Sequence, residues 1–338
     1  MKLLTPLACL LIPLAASASP ISALAATAAK ASNYAVTQHY PLGGTGGWDY
    51  LSIDAAAHHL FIARDDRVMV VDTQSGKLLT EISGMQHAHG VALAPGKHRG
   101  YVSNGRGNNV SVLDLDTLKS IGNLAISGQN PDAILYDNAT DHLLTMNGRS
   151  NNISVIDPVA GKEIATIALP GKPEFAASDD KGNVFINIED KNQIVHIDTH
   201  SNKLLHTWAL SSCDSPSGLA FDSATQRLFS VCDNQKMAVT DASNGHQVAL
   251  LNIGKGPDAV TFDPQSKLIF SSNGEGSISI VREDDADHYT LLSTLPTQKS
   301  ARTMALDTTT HKLFLVAAKD APRGTPVADF TLLVAEQH

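Results

Sequence analysis

The chain has 338 residues, 25 basic against 34 acidic, a formal net charge of −9 and only 5% aromatic residues. That balance repels phosphate backbones, no dense Lys/Arg cluster opposes it, and few rings are available for base stacking, so nucleic acid is not the expected partner. The length suits two ordinary domains or one large all-β unit.

The amino terminus reads as an export signal over residues 1–25. Lys2 is the only charge before Lys30, and an apolar run follows from Leu3 to about Ala16. Small residues come next, with Ala23-Leu24-Ala25 as the cleavage site and Ala16-Ser17-Ala18 as a second choice. The run is short and rich in Pro and Ala for a spanning helix. Cys9 lies inside it, which argues against a lipid anchor. The mature chain is expected to start near Ala26, with 26–33 as a linker. Losing Lys2 leaves 24 basic against 34 acidic residues, a net of −10. No later stretch is long and apolar enough to cross a membrane, so a soluble periplasmic or secreted product is expected. Cys213 and Cys232 survive export, and an even count in an oxidising compartment suggests a disulfide. Two separate thiols, one packed as a small apolar side chain, are the alternative. No C-x-x-C or C-x-x-C-H occurs.

From Tyr34 onward the chain repeats. A strand-like run "YAVTQHYPL" spans Tyr34 to Leu42, and seven segments then fall into register. They are "WDYLSID" from Trp48, "AHGVALA" from Ala88, "PDAILYD" from Pro131, "PEFAASD" from Pro173, "PSGLAFD" from Pro216, "PDAVTFD" from Pro257 and "ARTMALD" from Ala301. Their second residues are Asp49, His89, Asp132, Glu174, Ser217, Asp258 and Arg302, at spacings of 40, 43, 42, 43, 41 and 44. A period in the low forties marks a propeller or a helical array. Each unit is a series of short Val/Ile/Leu runs cut by Gly, Asn, Asp and Ser, which is strand chemistry without a sustained helical period. The expectation is an all-β, seven-bladed β-propeller with four-stranded blades over residues 34–338. The last unit supplies three runs and stops. The strand at Tyr34 is therefore expected to complete the last blade and remove its open edge.

"YVSNGRGNNVSVLDLDTLKSIGNLAISGQNPDAI", Tyr101 to Ile134, resembles the repeat of the YVTN β-propellers, with Ser103 in place of the Thr. The resemblance covers about residues 34 to 338, weakens in the seventh unit, and is nearest to the exported YncE-like group. It implies a seven-bladed fold outside the cytoplasm and little about activity, since one fold hosts many functions. The recurring Gly-His and Trp-Asp signature of WD40 repeats is absent, since Trp48-Asp49 and Gly245-His246 each occur only once.

In such a ring the residue that opens each first strand lies at the mouth of the central channel. The turns between second and third strands reach the same face, which adds Arg64, Asp65, Asn104, Arg106, Asn147, Arg149, Glu189, Asp190, Asp233, Asn234, Asn273 and Glu275. The opening position runs Asp, His, Asp, Glu, Ser, Asp, Arg, a polar constellation of the kind a binding site requires. A satisfied structural ring is the competing reading, since Arg302 falls between Asp258 and Asp49 and Asp after Pro bonds turn amides. For a cation, Asp49, Asp132, Glu174 and Asp258 are oxygen donors of the kind Ca²⁺ accepts. His87 and His89, as His-x-His with a carboxylate, suit Zn²⁺ or Cu²⁺. For a small polar ligand, Arg302, Arg106 and Arg149 can clamp a carboxylate or phosphate.

The polar insertion from Ala318 to Asp329 reads either as a lid or as a loose loop. No G-x-S-x-G, P-loop or H-E-x-x-H occurs, and "GGTGG", Gly43 to Gly47, opens no helix. A Glu174–His89 acid/base pair is conceivable. The first expectation is thus a monomeric exported binding propeller for a small polar ligand, a cation or a partner. A metal-dependent lactone hydrolase or lyase on the same face, and an envelope protein-protein scaffold, are its rivals.

Overall fold

The computed structural model describes Met1, residues 32–319 and residues 329–338. The expected signal, most of the linker and the body of the 318–329 insertion lie outside the described residues. The unit spanning 31–338 is a β-propeller with four-stranded blades. Its first strands touch their neighbours all the way round, including Met304–Asp307 against Leu51–Asp54.

Among the described residues the hydrogen-bonded sheets number six, one fewer than the seven expected. Five have four strands and one has six. The difference lies in the first two repeats. There His59–Asp72 and Leu78–Ala94 run as single long strands, and Asp65 pairs with Ala88 while Arg67 pairs with Ser83. One local difference is a missing proline. Pro131, Pro173, Pro216 and Pro257 open their strands without an N–H and cut the ladder. Ala88 stands at the same place with its N–H intact, which permits the ladder to continue but does not alone compel it, since Ala301 also keeps its N–H and its sheet stays separate.

Four of the units repeat one local device. The first hairpin is tied by an Asp at the strand end that accepts from a hydroxyl three residues on: Thr140 to Asp137, Thr225 to Asp222, Ser266 to Asp263 and Thr310 to Asp307, at 2.6–2.8 Å. Alternation buries one face of every strand between neighbouring units. Leu144, Met146 and Val155 thus pack on Ile186 and Val195, each buried side chain worth about 1.5–3 kcal/mol.

The strand Tyr34–Pro41 pairs antiparallel with Thr331–Gln337 and completes the sheet that begins at Met304. Its Tyr40 ring lies against Gly76, so closely that a Cβ there would sit 2.3 Å from the ring. Trp208 meets Gly245 in the same way. The amino-terminal strand therefore seats on the next unit as an ordinary outer strand does. Cys213 and Cys232 form a disulfide, S–S 2.04 Å and Cα–Cα 5.3 Å, buried in the apolar cluster around Leu219 and Leu228. It is compatible with an oxidising compartment. No helix among the described residues is long and apolar enough to cross a membrane.

Candidate functional site

The opening residues are held by their backbones. Ser103 Oγ donates to the Asp132 carbonyl at 2.5 Å and accepts from Gly90 N. Asn187 Nδ2 donates to the carbonyls of Ser217 and Gly218. Ser272 Oγ donates to the Arg302 carbonyl. A side chain on the second strand of one unit thus pins the opening carbonyl of the next. Tyr50 N donates to the His89 carbonyl at 3.0 Å and Asp49 N to that of Ala63 at 3.1 Å, which fixes the first opening residue against the second.

Three of the opening side chains meet at one point. His89 Nδ1 lies 2.6 Å from Asp49 Oδ2 and 3.5 Å from Asp132 Oδ1. One ligand atom from each of the three falls within 4.8 Å of the others. Glu174 and Asp258 lie outside that set. Lys172 Nζ approaches Glu174 Oε2 to 3.1 Å and also bonds Glu189, while the Tyr50 hydroxyl donates to Glu174 Oε1 at 3.4 Å. Arg302 donates to Asp258 Oδ2 at 2.6 Å and to the Trp48 carbonyl at 3.3 Å.

Electrostatics tie these groups into one site. Tyr50, 8% exposed, has its ionisation pushed well above the ordinary value, first by burial and then by the charges of Glu174, Asp132, Asp49 and Asp258. Burial raises Asp132, opposed by His89 and reinforced by Asp49. Burial raises Glu174 as well, and Asp132 adds to it. Asp258 is raised to about 6 by burial, against the pull of Arg302. Burial alone would lower His89, but the hydrogen bond to Asp49 and the charges of Asp132, Asp49 and Glu174 outweigh it and raise it. Carboxylates outnumber their cationic partners, and each feels the others.

Beneath this ring the channel holds a cavity of about 250 Å³, bordered by Tyr50, Ile53, Phe175, Val260, Met304 and Leu306. A second cavity, about 290 Å³, lies at the rim among Asp65, Met85, Gln86, His87 and Arg106.

Other candidate residues are spent elsewhere. Arg64 is wholly buried and binds the "GGTGG" turn: its guanidinium donates to the carbonyls of Gly47 at 3.0 Å, Thr45 at 2.9 Å and Gly46 at 3.1 Å, over the Phe330 ring. Burial lowers its pKa to about 10. Asn104, Asn147 and Asn273 are buried and turned into their own hairpins, bonding Ser111, Ser154 and Ser279. His87 and His89 do not converge through Nδ1. His87 takes Asp65 at 2.7 Å, and the two rings meet edge to face at 4.6 Å. The Glu174–His89 pair does not form, since His89 faces Asp49 and Asp132. Arg106 is exposed, 3.7 Å from Asp65, and Arg149 is exposed apart from the cluster.

Tyr50 and Lys172 were not expected. Lys172 had a signal. The slot two residues before the opening position holds Gly47, His87, Asn130, Lys172, Ser215, Gly256 and Ser300, and only Lys172 is a fixed charge there.

No protein-family model matches the chain, and no curated protein matches it. Solved structures do resemble it. The chain is similar to a chain of the hydrazine synthase of Kuenenia stuttgartiensis, with TM-score 0.72, 16% identity, and 80% of this chain and 92% of that one covered. It is similar to a chain of a mitotic checkpoint complex, with TM-score 0.76, 15% identity and 99% of both covered. At these identities the likeness concerns the fold alone.

Proposed function

We propose that this chain is an exported binding propeller whose funnel face takes a positively charged ligand. The observation that carries the reading is the charge imbalance at the channel mouth. Asp49, Asp132, Glu174, Glu189 and Asp258 face two fixed cations, Lys172 and Arg302, and one imidazole. A ring selected only for packing would neutralise itself, because buried like charges cost stability.

The finer features of the reading go with it. If His59–Asp72 counts as the second and third strands of the first unit, and Leu78–Ala94 as the fourth strand of the first unit and the first of the second, the ring has seven sets of four strands, as the repeat period and the YVTN, YncE-like resemblance imply. The disulfide and the amino-terminal signal pattern support export to a periplasmic or secreted location, and the protein is taken as a monomer. A propeller also serves generally as a binding or scaffold module, so a charged peptide of an envelope partner belongs to the same reading.

The test is a thermal-shift panel at neutral pH, with divalent metal salts, alkyl and aryl ammonium salts, and carboxylates or phosphates as contrast. A cation is expected to raise the melting temperature, and Glu174→Gln with Asp258→Asn to weaken that response. Stabilisation by anions alone would overturn the reading and return the site to Arg302, Arg106 and Arg149.

A further inference from the structure

The cation reading leaves the chemical class open, and three side chains narrow it. Asp49, His89 and Asp132 come from three successive repeats, yet their ligand atoms gather within 4.8 Å. Metal–ligand bonds of about 2.0–2.2 Å hold neighbouring donor atoms roughly 3.0–3.5 Å apart in tetrahedral or octahedral arrangements. Two of the three separations, 2.6 and 3.5 Å, lie within about 0.5 Å of that range, and the third is no more than 4.8 Å.

The donor set selects among cations. Ca²⁺ and Mg²⁺ take oxygen ligands, whereas one imidazole with two carboxylates suits divalent first-row transition ions. A second observation points the same way. The Asp132 side chain is 12% exposed, and among the described residues the ionic contact of its carboxylate is with His89 alone. His89 Nδ1 lies 3.5 Å from it. A carboxylate this far buried, held only at that distance from an imidazole, is short of the hydrogen bonds that buried charges require, and the Nε2 of that imidazole is itself buried without a partner among the described residues.

Resting on the cation reading, we propose that Asp49 Oδ2, His89 Nδ1 and Asp132 Oδ1 bind one divalent transition ion of the zinc or manganese kind. The backbone holds the ligands in advance. Asp132 is pinned by Ser103, and His89 by the amide of Tyr50, so the ion orders little on binding. Three protein atoms leave further coordination positions for an incoming ligand.

Calorimetric titration of Zn²⁺ into the chelator-treated protein tests this, with Co²⁺ absorption as a report on the donor set. One ion per chain is expected. Asp132→Asn and His89→Gln should each weaken binding at least tenfold and change the Co²⁺ spectrum, while His87→Gln should leave affinity within about threefold. Asp49→Asn stands in if either variant fails to fold, as judged by circular dichroism. Absence of Zn²⁺ binding, or binding unchanged in Asp132→Asn and His89→Gln, would overturn the site. An ammonium response in the thermal-shift panel without Zn²⁺ binding would overturn the metal site and leave the cation reading standing. Failure of both would remove both.

Discussion

Asp258→Asn should make the protein more stable at neutral pH, although it removes an ion pair. The Asp258 side chain is 19% exposed, and its pKa rises from the ordinary 3.8 to about 6 even with Arg302 beside it. Burial and the neighbouring Asp49 and Asp132 outweigh the guanidinium. A raised carboxyl keeps its proton in the folded chain where the unfolded chain has lost it, so stability falls as pH rises between about 4 and about 6 and stays lower above that. The displacement corresponds to roughly 3 kcal/mol at pH 7, an upper figure because the mouth is partly hydrated. Asn imitates the protonated form. Urea denaturation of both proteins from pH 4 to pH 8 should show little difference at pH 4 and a gain of about 1–3 kcal/mol for the variant at pH 7. If Asp258→Asn is instead the less stable protein at pH 7, the pair with Arg302 is a structural brace, and the charge imbalance argument fails at this residue.

Replacing Cys213 and Cys232 by Ser should cost about 3 kcal/mol, as closure of a loop with sequence separation 19 implies. Urea melts with and without reductant should reproduce that loss in the unaltered protein. Arg64→Met leaves the carbonyls of Gly46 and Gly47 without their donor and that of Thr45 with Arg67 alone, and should cost about 2 kcal/mol or more. Hydrogen exchange should quicken at 43–47 before it does elsewhere. Gly76→Ala places a Cβ against the Tyr40 ring at a φ of +68° and should cost about 2 kcal/mol or more. Tyr40→Ala in the same chain should recover part of that loss in a double-mutant cycle, and additive losses would deny the contact.

The propeller was legible because its repeat has a period, and strand chemistry settles what the period contains. Sheet count was harder. Ala88 stands where four other units carry Pro and so leaves its amide free for the ladder, but Ala301 does the same without merging two sheets, so this residue alone does not foretell the count. Asn104, Asn147 and Asn273 lie on the expected turns, but their amides turn inward. Position on a face does not tell how a side chain spends its hydrogen bonds, and the serines opposite, Ser111, Ser154 and Ser279, claim these amides. Arg64 was misjudged for the same reason, since the glycine-rich turn it binds is distant from it in the chain. Tyr50 left no trace, because a tyrosine inside a first strand reads as core.

The clamps on the opening residues bear on what the ring is for. Ser103, Asn187 and Ser272 grip backbone carbonyls, so they hold Asp132, Ser217 and Arg302 without regard to side chain. Folding therefore leaves the opening side chains free, and Ser217 demonstrates that a small neutral hydroxyl fits, donating to the Pro257 carbonyl at 3.2 Å. A neutral ring was open to this scaffold at no cost in strain. The mouth carries instead buried carboxyls whose charged forms burial and mutual repulsion disfavour. A fold that did not need those charges, and is weakened by them, is better explained by a ligand that brings the opposite charge than by the architecture of the ring.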